Sequence, residues 1–310
     1  MRSIDAHRQR LTDLNLTYRP QREWIEGRGL LIVVAHFFSG VGAGARLFSV
    51  ALDYDSGLVV AITLVGLAGA AHLAFLGQPQ RFWRIVMRPH SSWVSRGLWG
   101  LAVFLVGAIP YTVPAARDSA LGPVALGVSL GGMAVVLVYN GFVYAVSRAI
   151  PFWHLPLLPV LYIAYGLRGG AAALLVAAAV AGDVFDTDLL GVIKLWVVVS
   201  SAVLVLLHLA LARTAGGAAR RSARELVAGK VSPVFYVGVV LLGLVIPIVL
   251  GALAGATEPS RVLLAVVGLS SLAGDFYIKY CIVKAALYRP IVEELPTPRR
   301  YGARRAAAGL

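Results

Sequence analysis

Cysteine occurs once in this 310-residue chain, at Cys281, and acidic residues are scarce, 15 Asp and Glu against 28 Lys and Arg. A single cysteine excludes an internal disulfide, and also an iron–sulfur cluster ligated by cysteines of this chain alone. Charged residues make up only 14% of the sequence, too few to cover a soluble domain of this size. No His, Cys, Asp or Glu grouping has the spacing of a structural metal site. The string GVGAGA from Gly40 to Ala45 is not a nucleotide-binding loop, because no strand precedes it and its surroundings are apolar.

What the chain does have is apolar length. Hydrophobic residues reach 59%, gathered into runs at about 28–52, 57–77, 96–114, 121–147, 153–181, 188–212, 232–255 and 261–288. A helix needs about 20 apolar residues to cross the hydrocarbon core, so these runs predict an all-α, polytopic membrane protein with eight transmembrane helices. They leave no room for a soluble catalytic domain. The expected organisation is an amino-terminal tail at 1–27, a membrane domain at 28–288 and a basic tail at 289–310. The first 27 residues are polar and mixed in charge, so the first span is expected to serve as an uncleaved insertion signal. The run at 153–181 contains Gly166, Gly169 and Gly170 but is read as one helix, since a break would expose backbone groups in hydrocarbon.

Loop charge supports that count. Arg2, Arg8, Arg10, Arg19, Arg22 and Arg28 precede the first span, and Arg81, Arg84, Arg88 and Arg96 follow the second. Arg213, Arg220, Arg221, Arg224 and Lys230 follow the sixth, and the carboxy-terminal tail is basic again. The intervening loops carry Asp53 and Asp55, Arg117 with Asp118, Asp183, Asp186 and Asp188, then Glu258 with Arg261. The positive-inside rule therefore predicts both termini in the cytoplasm of a prokaryotic cytoplasmic membrane. It also accounts for the net charge of +13 without nucleic acid as a partner; membrane lipids are the expected surroundings.

At roughly 1.5 Å of rise per residue, position in a span gives approximate depth. His36, His72, Tyr139, Asn140, His208 and Lys279 fall in the cytoplasmic half, with Asp275 central. Arg46 and Lys194 lie towards the opposite side, where snorkelling or packing competes with a functional role. Arg168 follows Tyr162 and Tyr165 near mid-membrane, where an unpaired cation is expensive. Asp275 and Lys279 are four residues apart on one helical face, which suits an internal ion pair, a proton-handling pair, or both. The histidines could ligate a b-type haem, or hydrogen-bond a quinone and relay its protons. Depth alone does not say which of these residues meet laterally.

The most distinctive string, HLAFLGQPQRFWRIVMRPHSSWVSRGLW from His72 to Trp99, lies mostly between spans. Ser95 can cap the following helix, and Trp93 and Arg96 can anchor the interface. Together with Arg84 they suit a docking rim for a partner subunit.

The pattern H-L-x-x-L-G-x-P-x-R-F-W followed by S-S-W-x-S-R-G-x-W resembles the polysulfide reductase membrane-subunit family, also called NrfD-like. Ile150–Pro151–Phe152–Trp153, Pro156 to Pro159, and Gly274–Asp275–Phe276–Tyr277–Ile278–Lys279–Tyr280 extend the resemblance over 28–288. Relatives commonly carry arginine where this chain has Lys279. The resemblance implies an eight-helix module that binds quinone or menaquinone, with no haem or iron–sulfur cluster of its own. It further implies an iron–sulfur electron-transfer subunit and a molybdopterin-type catalytic subunit, with molybdenum or tungsten, as partners. On that reading His36, His72 and Asn140, with Tyr139 in reserve, are quinone-site candidates; His208, Asp275 and Lys279 are proton-path candidates. The inner polar layer and basic loops favour cytoplasmic partners, against an outer site near Arg46 and Lys194. An ion-translocating or purely structural membrane subunit is the competing class.

Overall fold

The computed structural model describes residues 17–182, 187–254 and 260–290, without the side chains of 187–194 and 253–254. Its long helices are α1 (Leu30–Ala51), α2 (Asp55–Phe75), α3 (Trp93–Thr112), α4 (Leu121–Ala145), α5 (Leu157–Ala181) and α6 (Thr187–Thr214). A shorter helix, α7 (Gly217–Ala228), follows. Then come α8, spanning 232–254, and α9 (Arg261–Lys284). All but α7 are long and apolar enough to cross a membrane, eight in total among the described residues. The run at 153–181 is one helix from Leu157, so the expectation of an unbroken fifth span holds.

Large apolar side chains such as Val106, Val180 and Leu206 point outward. Lipid solvates them as well as protein does, so close packing must hold the spans together. The small residues of α1 do this: Gly44 lies against Gly166 and Gly170 of α5, with backbone atoms where a β-carbon would stand. The middle of α8 winds as a π-helix, Phe235–Val245, and packs on α9 with Gly243 against Gly274.

Three features lay beyond the hydropathy pattern. Helix α7 is amphipathic, burying Ala218, Ala219, Ser222, Ala223 and Leu226 while Arg220, Arg221 and Arg224 stay exposed. The chain between α2 and α3 folds back in two short helical turns, Pro79–Arg81 and Trp83–Val86. Helix α3 starts at Trp93, and its cap is Ser92, whose Oγ accepts from the Ser95 amide at 3.3 Å. Ser95 itself donates its hydroxyl to the carbonyl of Ile85.

The segment before α1 pairs with the segment after α9. Pro20 and Leu287 form an antiparallel bridge, Gln21 N donates to Ala286 O at 2.9 Å, and Tyr288 N donates to Arg19 O at 2.8 Å. Both ends of the membrane domain therefore lie on one face of the bundle.

Candidate functional site

On that same face a cavity of about 1080 Å³ opens among α1, α2, α3 and the loop joining α2 to α3. Its lining is mostly apolar, including Ile32, Leu73, Phe75, Leu98 and Val143. His36 and His72 are the two imidazoles in its wall. Glu23, Arg84 and Arg88 supply its charged residues.

Histidines 36 residues apart in sequence meet because α1 and α2 are antiparallel neighbours, and their ring centroids are 5.5 Å apart. His72 Nδ1 lies 2.8 Å from the Ala68 carbonyl. A carbonyl can only accept, so Nδ1 carries the proton and Nε2 of the neutral ring accepts. Tyr139 Oη, 3.1 Å from Nε2, is therefore the donor. His36 makes its contact through Nδ1, 2.7 Å from Tyr144 Oη. Its Nε2 makes no hydrogen bond to any described residue, so one imidazole nitrogen in the cavity wall remains available. Asn140 stands one step behind, accepting at Oδ1 from Ser39 Oγ at 3.0 Å. Tyr139 and Asn140 are buried and support the histidines without lining the cavity.

The SSWxSRGxW string builds the cavity's roof. Arg96 donates from Nε to Pro89 O at 2.8 Å and from a terminal nitrogen to His90 O at 2.9 Å. Trp99 Nε1 donates to Val86 O at 3.1 Å, and Ser95 holds Ile85 O. Four carbonyls of the joining loop are thus fastened to the first two turns of α3. Trp93 stacks on Phe142 at 4.5 Å and carries the Arg96 guanidinium on its face. Of the three side chains expected at a docking rim, Trp93 and Arg96 make internal contacts, whereas Arg84 is exposed beside Trp83. Gly97 is needed for a different reason: the Tyr139 ring occupies the space a β-carbon would take.

Behind His36 a row of tyrosines leads inward. Tyr144 contacts Tyr162 with centroids 5.4 Å apart, and Lys279 Nζ lies 5.4 Å from the Tyr162 ring and 5.9 Å from that of Tyr165. Arg168 stands over Tyr165 at 4.8 Å. The expected helix-face pairing of Asp275 with Lys279 is corrected here. Asp275 takes its ion pair from Arg168 of α5, Nε to Oδ1 at 2.6 Å, with both side chains wholly enclosed. Sequence spacing could not show this because the partner lies on another helix. Arg168 also reaches Ser201 Oγ and Ser271 O, each at 3.3 Å.

The remaining candidates stand apart. His208 packs edge-on against Phe152 at 4.9 Å, and neither ring nitrogen has a hydrogen-bond partner among the described residues. Arg46 is fully buried towards the opposite face, donating to Ser129 Oγ at 2.8 Å beneath Tyr111. The Lys194 side chain lies outside the described residues. Tyr144 escaped the sequence reading, although its place one turn after Asn140 puts both on one face of α4. No group of three or more His, Cys, Asp or Glu among the described residues is arranged to hold a metal ion.

Comparison with known proteins identifies the family. The family described as "Polysulphide reductase, NrfD" matches residues 28–290. The chain is also similar to a "Protein NrfD homolog" from Haemophilus influenzae (strain ATCC 51907 / DSM 11121 / KW20 / Rd), 25% identical over 157 residues. That match spans about half of each protein, 49% of this chain and 49% of the relative.

Proposed function

The chain belongs to the polysulphide reductase NrfD family, and from that premise we propose that it is the quinone- or quinol-interacting membrane subunit of a multisubunit oxidoreductase. It exchanges electrons with an iron–sulfur subunit, which in turn serves a molybdopterin-type catalytic subunit. The observation that carries this reading is a mostly apolar cavity with His36 Nε2 unengaged in its wall. A quinone headgroup is flat and apolar apart from two oxygens, and such a lining suits it. When bound, quinol gives up, or quinone takes up, two electrons and two protons.

His36 is the residue placed to hydrogen-bond a quinone oxygen and to hold its proton. As Nε2 gains a proton from quinol, Nδ1 releases its own to Tyr144, and quinone reduction runs this in reverse. Tyr162, Lys279 and the Arg168–Asp275 pair extend the path inward through bridging water, since the Tyr162 hydroxyl and Lys279 Nζ have no hydrogen-bond partner among the described residues. His72, held by the Ala68 carbonyl and the Tyr139 hydroxyl, shapes the wall beside His36. Asn140 positions α1 through Ser39. His208 has no place in this path. Arg84 marks where the partner subunit docks, close to the cavity roof. Basic loops favour the cytoplasm for both termini, the two terminal tails and that partner, in a prokaryotic cytoplasmic membrane.

The test compares quinone-linked and artificial-dye activities of the intact complex carrying His36→Ala or His72→Ala. Quinone-linked turnover is expected to fall at least tenfold with dye activity retained. Equal retention of both activities would remove the site assignment. A second reading, ion translocation, draws on the buried Lys279 and the Arg168–Asp275 pair. Proton uptake by vesicles bearing Lys279→Met, at unchanged electron flux, separates the two.

A further inference from the structure

A second, smaller cavity of about 320 Å³ lies where α6 ends and α7 begins, away from the site described above. Leu209, Ala223 and Val227 form its apolar side, and Arg213, Arg220 and Arg224 its charged side. Arg220 and Arg224 are four residues apart on α7, a spacing at which like charges repel on a helix. Nothing described nearby relieves them. The three guanidiniums make one hydrogen bond between them, Arg220 Nε to the Arg213 carbonyl at 3.0 Å, and no ion pair among the described residues. The acid on α7, Glu225, is turned to the Lys230 amide at 2.8 Å. The neighbouring Arg221 is taken up by the Tyr18 ring, 4.0 Å away.

We propose that this pocket binds an anionic membrane phospholipid, with its phosphate among Arg213, Arg220 and Arg224 and an acyl chain along Leu209 and Val227. The apolar wall decides the class of ligand. Leu206, Leu207 and Leu211 on α6 are 67%, 48% and 38% exposed, so a lipid-facing surface leads directly to the arginines. A free phosphate or an acidic protein segment would satisfy the charges and leave that wall unused. An amphipathic helix with basic side chains outward also belongs at the headgroup level of a membrane. The bound phosphate offsets the repulsion along α7 and fixes α7 against the end of α6.

The purified complex is equilibrated with phosphatidylglycerol or phosphatidylcholine, and retained lipid is counted by native mass spectrometry. Retention of phosphatidylglycerol over phosphatidylcholine is expected, weakened about thirtyfold by the double variant Arg220→Gln, Arg224→Gln, since each arginine near a membrane surface contributes roughly one tenfold step or less. Equal retention of both lipids by the unmodified complex would overturn the proposal, as would unchanged retention by the variant. Complete displacement of the lipid by millimolar inorganic phosphate would make this a free-anion site. Loss of a soluble subunit from the variant, with lipid retention unaltered, would make it a protein-docking surface.

Discussion

Tyr139 lies on the backbone of α3 at Gly97, so close that its ring fills the space of a missing β-carbon. This contact lets the hydroxyl reach His72 Nε2. Gly97→Ala is therefore expected to push the ring aside, at a cost of about 1–3 kcal/mol typical of overpacking. Quinone-linked turnover should drop about tenfold with dye activity intact. Tyr139→Phe keeps the ring and loses only the hydroxyl, and the same assay should show a loss of similar size.

Removing one member of the Arg168–Asp275 pair leaves the other charged and enclosed. Arg168→Leu or Asp275→Leu alone should destabilise the protein by roughly 3–5 kcal/mol, while the double variant recovers much of that. Thermal unfolding in detergent, with yield from membranes as a second readout, checks the order. A double variant no better than the singles would show that the two residues act separately.

Arg96 holds two loop carbonyls while lying on Trp93. Arg96→Ala should loosen the segment 83–90, because hydrogen bonds from a charged donor are worth about 1.5–3 kcal/mol. Faster amide exchange across that segment and a raised KM for quinone are expected, with kcat less affected. Arg84→Ala is predicted to leave exchange unchanged and to weaken retention of the partner subunit on purification.

Glu23 at the cavity mouth accepts from Tyr288 Oη at 3.1 Å, tying the two chain ends together. Its own backbone amide, then that of Arg22, then the Tyr288 hydroxyl hold its carboxyl below the ordinary value of 4.5. A carboxyl lowered in the folded state stabilises fully above its unfolded value and ceases to do so as pH falls through the folded one. Protection of the Gln21 amide, taken relative to its intrinsic exchange rate at each pH, should therefore fall only in acid, below about pH 4.5. Glu23→Gln should flatten that dependence.

The spans were legible because hydropathy over about 20 residues is a strong signal, and the run at 153–181 stayed whole for the backbone reason argued from sequence. Depth was legible too, since His36, His72, Tyr139 and Asn140 do share a level. Azimuth was not: His208 has a comparable depth but faces Phe152, and Asp275 turned across the bundle to Arg168. The SSWxSRGxW string stood out as distinctive, yet its task needed coordinates. Its polar groups are directed to loop carbonyls that carry no residue-specific signature. The amphipathic α7 was read only as loop charge because its apolar face is short.

The pairing of residues 19–21 with 286–288 also sets an order of assembly. Glu23 and Trp24 belong to the cavity wall, but Tyr288, which holds Glu23, follows the eighth span. A nascent chain that has inserted seven spans still lacks this edge of the pocket. A chain stopped within α9 would therefore reach the membrane with this edge of its cavity unclosed.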